Sequence, residues 1–211
     1  MVASVIVFAL TATSCSTGSS RPRVVMIGNS ITLLARPAIG RTLDPVYDVG
    51  YVFRVGVRID QMVGLVGSDL QDNGPTSAAV IELGTNDAIQ GVASTRALAS
   101  LDRLLATTVS VRCVVLTTVN SSADVRGGGD VAAALNERMR LLAAADPRRY
   151  KVVDWNAFVH SLGPGPFSGY LQADRTHETA LGAEWIAASD AAALHTCGTT
   201  KPAPLLPAVG R

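Results

Sequence analysis

The chain has 211 residues, of which 48% are hydrophobic and 17% charged, and its formal net charge is +1. That length allows one ordinary domain with a sizeable core, and that composition excludes a disordered chain. The near-zero charge leaves no electrostatic footprint for nucleic acid or an acidic membrane surface.

Met1 to Ser14 carry no charge and are almost wholly apolar or small. The run is too short to cross a bilayer and reads as the apolar core of an export signal; a buried N-terminal strand or helix is the alternative. Two cleavage patterns compete. Thr11 to Cys15 resembles a lipobox, which would make Cys15 a lipidated N-terminus and a membrane tether, although Ala12 stands where Leu is usual. Ala12-Thr13-Ser14 fits an ordinary small-x-small site, and no basic residue precedes the run. The domain organisation read from the chain is an export signal at 1–14, a tether at 15–22, a folded domain at 23–198 and a Pro-rich tail at 199–211.

Within the domain, strands are expected at Val24–Ile27, Tyr47–Val52, Ala79–Leu83, Val114–Val119 and Val152–Trp155. Their near-continuous apolar character is what a parallel sheet covered on both faces requires. Helical stripes lie between and after them: Ile59, Met62, Val63, Val66 and Leu70; Leu98, Leu101, Leu105 and Val109; Leu135, Met139 and Leu142; and Leu181, Trp185, Ala188 and Ala192. The alternation predicts one α/β domain, a three-layer α/β/α sandwich on a five-stranded parallel sheet. Gly127–Gly129 and Gly163–Pro166 mark loops. No Lys-Ser/Thr follows the first, so it is not a phosphate loop.

Ligands of open parallel sheets bind at the carboxyl ends of the strands. Gly28-Asn29-Ser30 follows the first strand, Gly84-Thr85-Asn86-Asp87 the third, and Asp174-Arg175-Thr176-His177 the fifth after a long loop, at the expected start of a helix. A Ser hydroxyl needs a base to become a nucleophile, and His is the side chain best suited near neutral pH. A carboxylate on the other ring nitrogen fixes the tautomer, and an Asn amide can donate to an oxyanion. Asp174 and His177 stand three apart, so both can share one turn.

These blocks resemble the SGNH (GDSL-like) hydrolase superfamily, over essentially Val24 to Leu194. The resemblance implies Ser30 as nucleophile with Asp174 and His177 completing a triad. It also implies an oxyanion hole from the Ser30 N–H, the Asn86 amide and a glycine N–H. Gly56, in Arg54-Val55-Gly56-Val57, fits that glycine best, and Gly50 is the weaker candidate. The family usually has Asp where this chain has Asn29; Asn can still accept from a nearby N–H. The resemblance further implies a flavodoxin-like strand order, 2-1-3-4-5, which sets Ser30 beside Asn86. In that arrangement Cys113 opens the fourth strand at the edge away from the site. A last helix of about 17 residues, rising about 25 Å, carries Cys197 to the same edge. The two are a candidate disulfide, with two buried thiols as the alternative.

Blander roles are also open. Ser30 or Asp174 can cap a helix, Asn86 can be a turn residue and Asp87 an N-cap. His160 and His195 read as structural or surface histidines, Arg58 as a solvated helix residue or an anionic-substrate contact, and Trp155 and Trp185 as core. No metal-ligand spacing occurs, so neither metal nor cofactor is expected. The expected function is a monomeric serine esterase, exported to the cell envelope, acting on a small-molecule, glycan or lipid acyl ester. Its rivals are an acyltransferase or deacetylase acting on a sugar or cell-wall polymer with the same triad, a non-catalytic carbohydrate- or lipid-binding domain on the same scaffold, and a flavodoxin-like FMN or nucleotide binder. The resemblance implies that the loops at 120–130 and 160–172 set the choice of acyl group and alcohol.

Overall fold

The structure, a computed structural model, describes residues 21–123, 129–163 and 169–198. The expected export signal, Cys15, most of the tether, Gly127–Gly128, Pro164–Pro166 and the tail lie outside the described residues.

Among the described residues the strands are β1 (Arg23–Gly28), β2 (Asp48–Phe53), β3 (Ala78–Glu82), β4 (Cys113–Thr117) and β5 (Tyr150–Val153). Every pairing is parallel and the order is β2-β1-β3-β4-β5, as the resemblance implied. The helices are α1 (Ser30–Leu43), α2 (Ile59–Asp72), α3 (Thr85–Ile89), α4 (Ser94–Thr107), α5 (Gly129–Ala145), α6 (Trp155–Ser161) and α7 (Ala180–Thr196). None of them is long and apolar enough to cross a membrane.

Alternate side chains of each strand serve opposite faces. Val25, Ile27, Ala79, Ile81, Val114 and Leu116 pack with α2, α4 and α5. Val24, Met26, Ala78, Val80, Cys113 and Val115 pack with α1, α6 and α7. The central strands β3 and β4 are buried throughout, which explains why their sequence is apolar without alternation. Cys113 and Cys197 are joined in a disulfide, Cα atoms 5.9 Å apart, which pins the end of α7 to the start of β4.

Three expectations need correction. The fifth strand ends at Val153, and Trp155 opens α6 instead, because Asp154 caps that helix through Ala157 N–H at 3.0 Å. The α4 stripe runs Ala97, Leu101, Leu104, Leu105; Val109 lies beyond the helix end and is 75% exposed. On α7 the buried face is Ala183, Ile186, Ala187, Asp190 and Leu194, while Leu181 is 49% exposed. That helix is so rich in Ala that its faces barely differ in hydropathy, and periodicity could not choose between them.

Candidate active site

The chain turns sharply where β1 ends. Asn29 caps α1, its Oδ1 accepting from Ile31 N–H at 2.9 Å, and Ser30 becomes the first helical residue at the carboxyl end of the sheet. The first N–H groups of a helix have no partner inside it and lie at its positive end. Asn29 thus makes the acceptor bond expected of it despite replacing Asp.

Next to β1, β3 delivers the second block. Gly84 has φ of +113°, and a Cβ there would lie 2.7 Å from Val119 Cγ2 and 2.8 Å from Leu135 Cδ1. Only glycine suits both the backbone and the space. The turn it makes starts α3, with Asn86 in its first turn. Asp87, fully buried, caps not its own helix but α2, its Oδ2 accepting from Ile59 N–H at 3.0 Å. Desolvation raises its pKa to about 6, partly countered by that N–H.

Gly56 lies between β2 and α2 with φ of +70°. Its carbonyl accepts from Gln90 Nε2 at 3.0 Å, and Gln90 Oε1 accepts in turn from Arg58 at 3.0 Å. Arg58 also pairs with Asp60 at 3.2 Å, so its guanidinium is already engaged. Gly50 sits in mid-strand opposite Val25, well before the carboxyl end of β2.

The third block arrives on a turn, not on a helix as expected. Thr179 caps α7, and the chain from 170 to 179 folds back on itself through an isolated antiparallel bridge between Leu171 and Glu178. Gln172 N–H donates to the His177 carbonyl at 2.8 Å and Thr179 N–H to the Tyr170 carbonyl at 3.0 Å. Within the turn Arg175 adopts φ of +58°. Asp174 organises it: Oδ1 accepts from Thr176 N–H at 2.9 Å and His177 N–H at 3.0 Å. Its other oxygen, Oδ2, lies 2.7 Å from His177 Nδ1, and His177 Nε2 lies 2.9 Å from Ser30 Oγ. Burial tends to raise the Asp174 pKa, but the hydrogen bonds from the His177 ring, His177 N–H and Thr176 N–H outweigh it, and the net shift is downward.

Ser30, His177 and Asp174 are therefore in one hydrogen-bonded line, and Ser30 and Asn86 lie in the helices that follow the neighbouring strands β1 and β3. His160 stands apart, 2.8 Å from Ser121 Oγ, and His195 lies in the last turn of α7. Trp155 is core, while Trp185 is only partly buried and stacks on Phe158 at 4.1 Å between ring centroids. Gln90 was not singled out by sequence reasoning, nor was the buried pair Thr32 and Glu82. An acid inside an otherwise apolar central strand was the readable signal for Glu82.

No protein-family model matches the chain, and no curated protein matches it in sequence. Solved structures do match its fold. A lipase/acylhydrolase from Enterococcus faecalis gives a TM-score of 0.70 at 18% identity, over 87% of this chain and 99% of that one. The C-terminal catalytic domain of peptidoglycan O-acetyltransferase A from Streptococcus pneumoniae, bearing a methylsulfonyl adduct, gives 0.67 at 20%, over 86% and 97%. A member of the lipolytic G-D-S-L family from Veillonella parvula gives 0.66 at 19%, over 79% and 94%. The chain has the fold of the G-D-S-L lipolytic hydrolases.

Proposed function

We propose that the protein is a serine ester hydrolase working through an acyl-Ser30 intermediate. One observation carries the reading: the line from Asp174 Oδ2 through the His177 ring to Ser30 Oγ, with steps of 2.7 and 2.9 Å. Those are the contacts that let an imidazole take a hydroxyl proton while a carboxylate steadies the resulting imidazolium.

In this scheme His177 Nε2 takes the Ser30 proton as Oγ attacks the ester carbonyl. Asp174 holds the proton on Nδ1, which leaves Nε2 free as base. The oxyanion is met by Ser30 N–H at the head of α1, by Gly56 N–H and by the Asn86 amide. His177 then returns the proton to the departing alkoxide. Water repeats the sequence on the acyl-enzyme and frees the acid.

A second reading keeps the same triad and replaces water with a hydroxyl of a sugar or cell-wall polymer. The fold likeness to the peptidoglycan O-acetyltransferase domain supports it. Either reading suits an enzyme exported from the cytoplasm. The Cys113–Cys197 disulfide supports export, since such bonds persist in oxidising compartments.

Intact-mass measurement across a panel of esters tests the proposal: a mass increase equal to the acyl group should appear on wild type and be absent from Ser30→Ala. That variant should lose activity by on the order of a thousandfold or more. Undiminished turnover in it would overturn the reading. An added alcohol that outcompetes water in the products would select the transferase form.

A further inference from the structure

Beneath the candidate triad lies a group of buried acids that the scheme above does not use. Glu82, the last residue of β3, is 4% exposed and stands opposite Gly28 of β1. Its Oε2 accepts from Thr32 Oγ1 at 2.6 Å. Thr32 is in the first turn of α1, two residues after Ser30. A Cβ on Gly28 would fall 1.6 Å from the Thr32 hydroxyl, so glycine there is what lets Thr32 reach across to β3.

The other oxygen of Glu82, Oε1, has no hydrogen-bond partner. Glu82 lines a cavity of about 10 Å³ together with Thr117 and Trp155, room for about one water molecule. Thr117 Oγ1 and Trp155 Nε1, both on residues more than nine-tenths buried, also lack partners. Asp190, in the middle of α7, is 0% exposed, and Glu178, beside His177, is 2% exposed. Neither oxygen of Asp190 has a hydrogen-bond partner, and the Glu178 carboxyl meets no donor beyond its own backbone N–H. The charged groups acting on this set are themselves acids: Glu82 on Asp190, and Glu82 and Asp174 on Glu178. Among the described residues no group of three or more His, Cys, Asp or Glu is arranged to hold a metal ion, these three included.

Buried carboxyl groups within electrostatic reach of one another cannot all ionise, because each charge would lose its hydration and act against another of the same sign. Desolvation raises Glu82 to about 7 and Glu178 to about 8, and it raises Asp190 well above the ordinary range.

We infer that Glu82, Asp190 and Glu178 are positioning residues for the Ser30–His177 pair, and that they act as neutral carboxylic acids. Neutral Glu82 ties the head of α1, through Thr32, to the end of β3. Neutral Asp190 and Glu178 let α7 and the turn before it lie against that same point. α1 and α7 pack along each other, so one seat sets both the hydroxyl and the imidazole. Ionisation is relieved by lifting α7 from the sheet to admit water, which draws His177 away from Ser30. The inference rests on the esterase reading, since it concerns the alignment of that pair.

The test is the pH dependence of kcat/KM for Glu82→Gln and Asp190→Asn, read beside wild type and Glu82→Ala. Wild type should lose activity on the alkaline side of neutrality. Gln cannot ionise, so Glu82→Gln should move that limb upward by about one pH unit, from the value of Glu82 toward that of Glu178, whereas Asp190→Asn leaves Glu82 and Glu178 able to ionise and should move it less. Glu82→Ala should lower kcat by about tenfold at every pH, and Glu82→Gln should restore most of it, since its amide oxygen can accept from Thr32. An alkaline limb at the same pH in all four proteins overturns the inference.

Should the variants fail to fold, infrared spectra of wild type decide. A protonated-carboxyl band should persist at pH 7 and fade on going to about pH 9; its absence at pH 7 also overturns the inference. Full turnover in Ser30→Ala sinks the esterase reading while leaving the infrared band untouched, so the two failures are distinguishable.

Discussion

The side-chain amide of Asn120 donates to the carbonyl of Arg175 at 2.8 Å and so joins the loop after β4 to the turn that presents His177. Arg175 sits between Asp174 and His177 with φ of +58°, a conformation that costs a non-glycine residue energy. The anchor is itself held. Asn120 Oδ1 accepts from Ser122 N–H at 3.0 Å, and the neighbouring Val119 is clamped by Asn136 through bonds of 2.7 and 2.8 Å. Asn120→Ala should therefore loosen the imidazole without disturbing the core. Activity on an aryl ester should fall by roughly ten- to a hundredfold, as small misplacements of reacting groups do. A far-UV melting curve should stay close to wild type. Unaltered kinetics would show that the turn holds its shape without this bond.

Asn86→Ala addresses the oxyanion site. If the amide meets the tetrahedral intermediate, kcat should drop by about a hundred- to a thousandfold, with KM changing much less. Steady-state kinetics on wild type and variant decide the matter. A loss smaller than about tenfold would assign Asn86 to the turn alone.

Gly84→Ala tests the geometry that presents Asn86. The new methyl would strike Val119 and Leu135 in the core at 2.7 and 2.8 Å, on a backbone at φ of +113°. Both effects are unfavourable, and together they should cost roughly 2–4 kcal/mol in urea unfolding. Loss of activity should accompany loss of stability.

Removing the disulfide by Cys113→Ala with Cys197→Ala frees a loop spanning 84 residues. Stability should fall by roughly 2–5 kcal/mol in denaturant titration. Since the bond lies at the edge of the sheet away from Ser30, the folded fraction should retain its specific activity. Reducing agent should lower the unfolding midpoint of wild type and leave the double variant unaffected.

Asp87 gives a pH signature of its own. Its pKa is raised from 3.8 to about 6 on folding, so between those values the native state binds more protons than the unfolded chain. Stability therefore falls as pH rises across that window and levels off above it. Asp87→Asn keeps an acceptor for Ile59 N–H and removes the titration. It should flatten this portion of the curve and gain on the order of 2–3 kcal/mol at pH 8, a shift of about two units expressed as free energy.

Much of the fold was legible because the central strands are dry on both faces. Apolar runs such as Ala79-Val80-Ile81 and Val114-Val115-Leu116, alternating with helical stripes, are what a parallel sheet under two helical layers requires. Ser30, Asn86 and His177 stood out because each follows a strand or precedes a helix, where such sheets gather their chemistry. Other features were hidden for definite reasons. The left-handed turn at Arg175 could not be read, since Arg carries no bias toward that conformation and the surrounding bonds impose it. The reach of Gln90 to Gly56 depends on how α3 sits beside the loop after β2, which no local pattern encodes. Asp190 went unread because the Ala-rich α7 offers no contrast between its faces. Strand β5 was displaced because Asp154, read as part of an apolar run, in fact ends it as a cap.

Ser30 and His177, the proposed nucleophile and base, are 147 positions apart in the chain, and His177 is supplied just ahead of the last helix. A ribosome must complete nearly the entire domain before a reactive hydroxyl can exist. On the proposed mechanism, fragments released early would be chemically inert toward esters, and hydrolytic power would switch on only as the final helix settles into place.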